Sequence, residues 1–188
     1  MRIFSSFATI DQYPGAVSLT PFYGTKFAYV LTGSANVVTN FSSVVNVPSA
    51  GTLLSAYVWF DTYETNVGAD VGSFSVVALN SPSDTSGTTT KVYSVVASQV
   101  ALGTDSGGNT AHGGQTGWVQ VKYTFPAAGY YRLLFSVVNI PDSFYNSALA
   151  VDHIQVSNVV RHMVTHFRMC FFVPITKQCA SPTLPIPR

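Results

Sequence analysis

Apolar residues nowhere recur with a helical period in residues 1–157 of this chain. They come instead in short runs rich in Val, Tyr, Phe and Thr, closed off by Gly, Pro, Asn and Ser, the pattern of strands and their turns. Eight such runs are present: 26–32, 36–47, 52–61, 71–79, 90–97, 117–125, 129–138 and 148–157. The most regular is 118–125. There Val119, Val121, Tyr123 and Phe125 alternate with Trp118, Gln120, Lys122 and Thr124, which gives a half-buried antiparallel strand with one face on a core. Pro126 and Gly129 then mark a short turn into the next run. Eight short strands without a cysteine among them predict an all-β fold: an antiparallel two-sheet β-sandwich, jelly-roll-like, of about eight strands.

Such a core needs a surface, and this chain has little charge to build one. Only 9% of its 188 residues are charged, against roughly 25% in an average domain, while 47% are hydrophobic and 13% aromatic. That excludes a disordered chain. A formal net charge of +1 excludes a basic nucleic-acid binder. No apolar stretch approaches the ~18–20 residues of a transmembrane segment. The exterior must therefore be Ser, Thr, Asn, Gly and Tyr, which suits hydrogen bonding to sugars, and near-neutrality makes association between copies easy.

The chain divides at about residue 157. Residues 1–157 form the sandwich domain. Residues 158–188 form a basic, Pro-rich tail that carries four bases, no acid and both cysteines, Cys170 and Cys179. Met169–Val173 reads as a ninth strand or as an extension of different origin. His162, His166 and Cys170, spaced four and four, would share one helix face and could hold zinc. A Cys170–Cys179 disulfide suits an oxidising compartment, though ordinary unpaired residues are the favoured reading. Two long loops, 80–89 and the Gly-rich 103–117, read as plain connections, since no strand-to-helix pattern supports a phosphate cradle. The apolar run at the start is broken by Asp11, so it lacks the core of a secretory signal.

Four segments carry a family resemblance: GTKFAYVLTGS, FSSVVNVPSAGTLLSAYVWFDTYE, TGWVQVKYTFPAAGYYRLLFSVVN and DSFYNSALAVDHIQV. Together they make residues 24–157 resemble the β-sandwich ectodomains of bacterial exported proteins with PEP-CTERM-type sorting tails, which are similar to carbohydrate-binding-module jelly rolls. The Pro-Glu-Pro motif and apolar helix of those tails are absent here. The resemblance implies an extracellular or cell-surface location and non-catalytic binding or adhesion.

Two sets of residues are candidates for chemistry. Asp61 and Glu64 end a strand in WFDTYE, Asp142 lies in the turn NIPDSFYNS, and Asp152 sits inside the last strand on the face of Ala150, Ile154 and Val156. An inward carboxylate is costly unless it is paired, hydrogen-bonded or metal-bound. Sandwich geometry would bring these acids to one end, where with Asn139 or Asn146 they would supply the oxygen donors of a calcium ion. Jelly-roll modules of the kind resembled often hold such a calcium. The plainer alternative is an Asp152 satisfied by turn amides. A glycosidase pair is disfavoured, because eight acids are few for an acid-lined groove, and no GxSxG elbow occurs. For sugar stacking the candidates are Tyr63, Trp118 and Tyr145, with Asn146 beside them, while Trp59 and Phe60 are assigned to the core. The chain therefore reads as an exported, non-enzymatic module for a polysaccharide or cell-surface glycan. The alternative is a subunit of a surface filament or layer that assembles by β-strand addition.

Overall fold

The computed structural model describes residues 2–4, 8–9, 18–64, 69–100, 113–140 and 146–157. Cys170, Cys179, His162 and His166 of the tail lie outside them. All eight predicted strands form, two of them with the predicted bounds. In chain order the elements are β1 (Arg2–Phe4), β2 (Ala8–Thr9), β3 (Ser18–Leu19), β4 (Phe27–Leu31), β5 (Val38–Val47), β6 (Leu53–Thr62), β7 (Val71–Leu79), β8 (Thr88–Val96), β9 (Gly114–Gln115), β10 (Val119–Thr124), β11 (Gly129–Val138) and β12 (Ser147–Ser157), with one 3₁₀ turn at Ala97–Gln99. The four two- or three-residue strands have no signal in the sequence. One of them, β9, closes the Gly-rich loop by pairing with Asp61 and Thr62 of β6.

Ten of the twelve strands make two antiparallel sheets, and among the described residues β2 and β3 pair only with each other. One runs β1-β4-β12-β6-β10, with β9 on the end of β6, and the other runs β5-β11-β7-β8. The pairing is that of one long hairpin wound on itself: β4 with β12, β5 with β11, β6 with β10 and β7 with β8. This is the winding of a jelly roll.

Period-two placement fills the space between the sheets. From β6, Leu54, Ala56, Val58 and Phe60 point inward, and from β11, Tyr131, Leu133, Phe135 and Val137 do so. Phe41, Phe135 and Phe74 occupy one register row across β5, β11 and β7. Their rings stack, with Phe135 at 5.0 Å from Phe41 and 4.3 Å from Phe74. Gly72 of β7 leaves room for a residue of the opposite sheet. A Cβ there would run into Phe60 Cδ2 and lie 2.9 Å from its Cε2.

Trp59 departs from its assignment. It follows the alternation to the outer face of the first sheet, where it joins a second cluster with Leu19, Phe27, Tyr29, Ala150 and Trp118. Adjacent strand residues face opposite ways, so Trp59 and Phe60 cannot share a core.

The 80–87 connection is built by Asp84. Its carboxylate accepts the Ser81 hydroxyl at 2.7 Å and the amides of Asn80 and Ser81 at 2.9 Å each. The Ser81 hydroxyl and amide bonds hold the carboxyl below its ordinary range. Arg132 ties the loop to β11 by donating to the carbonyls of Thr85 and Asp84. No helix among the described residues is long and apolar enough to cross a membrane.

Candidate functional site

The outer face of the β1-β4-β12-β6-β10 sheet is built by the side chains that the core does not take. β6 contributes Ser55, Tyr57, Trp59 and Asp61, β4 contributes Phe27 and Tyr29, and β12 contributes Ala150 and Asp152. Trp118 enters from the residue before β10. A face this apolar needs a cover, and residues 19–23 supply part of it. Leu19 is buried in the second cluster. Trp118 Nε1 donates to the Thr20 carbonyl at 3.2 Å, and the Tyr23 amide donates to Asp152 Oδ2 at 2.9 Å.

That strap delivers two rings to the surface. Phe22 stacks on Tyr57 with centroids 3.6 Å apart and planes at 17°. Tyr23 lies 4.5 Å from the His153 ring. Phe22 also meets the edge of Trp118 at 6.4 Å, and Trp118 meets Trp59 at 5.7 Å and Phe27 at 6.2 Å. The result is a continuous aromatic band along the sheet. Phe22 keeps 44% and Tyr23 63% of its surface in solvent. Polar groups border the band: Gln120 Nε2 donates to Ser55 Oγ at 3.1 Å, and Lys122 stands exposed beyond it. Flat rings edged by amide and hydroxyl groups can stack on the C–H face of a pyranose while bonding its hydroxyls.

Trp118 is thus on this face. Tyr63 and Asn146 are elsewhere, together at the end of β6, where the Tyr63 amide donates to the Asn146 carbonyl at 3.2 Å. Asn146 Oδ1 accepts the Thr32 hydroxyl at 3.3 Å. Tyr145 and Asp142 lie outside the described residues.

Among the acids, Asp61 and Glu64 are both buried at that same strand end. The hydroxyls of Thr62 and Ser147 join at 2.7 Å beside them, and Thr62 Oγ1 also accepts the Glu64 amide at 3.1 Å. Asp152 is not with them. It pairs in register with Tyr57, four residues along β6 from Asp61, a separation of roughly 13 Å. Nor does it share a face with Ile154 and Val156. The register slips between Asp152 and Gln155, where His153 takes a φ of +49°, so one extra residue turns Ile154 and Val156 back toward the main core. Asp152 keeps the outer face and spends both oxygens on amides, Oδ2 on Tyr23 and Oδ1 on its neighbour His153 at 2.6 Å. Among the described residues, no three His, Cys, Asp or Glu side chains are grouped to hold a metal ion.

Sequence reasoning missed Phe22, Tyr23, Tyr57 and His153. The alternation of β6 carried the signal for Tyr57, since it shares parity with Trp59. Phe22 and Tyr23 sit in a stretch too short to show a pattern, and His153 depends on a bulge that no local residue preference announces.

An all-β jelly roll with an aromatic outer face is the class that these features define. No family model and no curated protein matches the chain. Among solved structures, the chain is similar to the K3 cleaved adhesin domain of Lys-gingipain from Porphyromonas gingivalis W83, at 14% identity and a TM-score of 0.42 over 79% of this chain and 86% of that one. It is similar to a family 16 carbohydrate-binding module at 16% identity and a TM-score of 0.37, over 81% of this chain and 90% of that one. A carbohydrate-binding module specific for non-crystalline cellulose, CBM28, is similar at 12% identity and a TM-score of 0.40, over 81% and 87%.

Proposed function

We propose that this protein is a non-catalytic module that binds a neutral polysaccharide on the aromatic outer face, at the cell surface or in the extracellular matrix. The observation that supports it is the Phe22–Tyr57 stack, exposed beside Trp118 and bordered by Gln120 and Ser55. Phe22 keeps 44% and its neighbour Tyr23 63% of its surface open, so the band presents contiguous aromatic surface of the kind a ligand covers. Lys122 is exposed on this border, and the carboxylate beside Tyr57, Asp152, is spent on the amides of Tyr23 and His153, an arrangement that fits a neutral ligand better than an acidic one.

Affinity electrophoresis of the full chain against a panel of neutral polysaccharides tests the reading. Phe22→Ala is expected to weaken retardation about tenfold, the ~1.4 kcal/mol of one stacked ring, with an unchanged circular dichroism spectrum. If no polysaccharide retards the protein, or if Phe22→Ala runs like the parent, the aromatic face is not a glycan site.

The proposal includes a structural calcium. Asp61 and Glu64 are buried carboxylates at the strand end where the Tyr63 amide meets Asn146, and hard oxygen donors of this kind suit calcium. With Asp142 they would hold the ion, while Asp152 takes no part. The expected result is a melting temperature that rises with added calcium and falls on chelation, an effect that Glu64→Gln reduces. A melting temperature indifferent to both calcium and chelator removes this part of the proposal.

A further inference from the structure

The two edges of the β5-β11-β7-β8 sheet are not alike. At β8 the edge is guarded: a bulge between Phe74 and Ser75 in its pairing breaks the register, Lys91 is exposed, and the strand runs into the 3₁₀ turn. Bulges and edge lysines are how sheets prevent unwanted pairing. β5 has neither. Its ten residues, VTNFSSVVNV, contain no charge and no proline, and they pair with β11 in unbroken register from Val38 to Val47. Every second residue of such a strand turns its N–H and C=O away from β11, its one strand partner among the described residues.

Exposed apolar surface gathers along this same edge. Val38 is 55% and Val44 39% exposed on its outer face, Val37 precedes it, and Tyr130 stands next to Asn46 in register. Four of the seven exposed large hydrophobic residues are accounted for in this way, two others being the Phe22 and Tyr23 of the aromatic face.

We propose that β5 pairs antiparallel with β5 of a second copy of this chain, joining two four-stranded sheets into one eight-stranded sheet. The strand is self-complementary. A two-fold axis normal to the sheet must match outer residues with outer and inner with inner, so the strand's midpoint allows Ser42 or Ser43 to face itself. Either register overlaps nine residues, sets Phe41 against Ser43 or Val45, and brings no like charges together. Near-neutral net charge leaves little long-range repulsion between copies. Sheets of eight strands are within the ordinary range. This inference is independent of the polysaccharide reading.

Sedimentation of the full chain over a range of concentrations tests it. The parent protein is expected to be a dimer in equilibrium with monomer. Val44→Lys, and separately Asn40→Lys on the same exposed strand, are expected to abolish the dimer without changing the circular dichroism spectrum. Thr90→Lys on the β8 edge is expected to leave it intact. A parent that is monomeric at every concentration overturns the proposal. So do lysine variants that still dimerise, or a chain ending at residue 157 that loses the dimer while Val44→Lys keeps it, which assigns association to the tail.

Discussion

Phe135→Ala is expected to destabilise the protein by about 3–5 kcal/mol, the range for deleting a fully enclosed phenyl ring. Phe135 has no exposed surface and is the middle ring of the Phe41–Phe135–Phe74 row, so its loss removes two stacked contacts as well as its own burial. The flanking rings sit on β5 and β7, whose backbones are fixed by hydrogen bonds to β11 itself. They cannot close over the gap, and a cavity that cannot collapse is the costly kind. Urea melts of parent and variant measure the difference. A loss below about 1 kcal/mol, the size of an ordinary surface substitution, would mean that the row is not the centre of the core.

Gly72→Ala should be the second most damaging change, at about 1–3 kcal/mol for one added methyl group. The methyl would lie within the space of the Phe60 ring and 3.3 Å from Leu149 Cδ1, both on the opposite sheet and both fully buried. Neither is the loose end of a flexible chain, so the sheets must part or the ring must leave its rotamer. Trimming the obstacle separates this cause from a loss of local strand propensity. In the background of Phe60→Leu, Gly72→Ala should cost markedly less than it does alone. Equal costs in both backgrounds would rule out the steric explanation.

How far the fold could be read from the residues depended on how local the signal was. Alternation within a strand is local, so Val119 to Phe125 announced both their strand and its buried face. Which strands adjoin is not local. Nothing near Phe41, Phe74 or Phe135 says that they meet, because their row is fixed by the fit of two whole sheets. Trp59 shows a local signal overridden by an expectation about composition: a tryptophan next to Phe60 reads as core, although parity sends it outward. The site was less legible than the fold for the same reason. Trp118 was found on its exposed parity, but its neighbours on the aromatic face come from residues 22, 57 and 153, which only the sheet order brings together. Strict alternation puts Asp152 on the face of Ile154 and Val156, and a single residue with positive φ, His153, breaks that alternation.

The winding of the strands sets a schedule for biosynthesis. β4, near the start of the chain, pairs with Ala148–Val151, near the end of the domain, and β5 must wait for β11. A ribosome will have released about a hundred and twenty residues after β4 before that strand meets its partner. Until then the nascent β5, uncharged along its whole length, is open on both sides, and any cell that makes this protein must shield it or keep its copies apart.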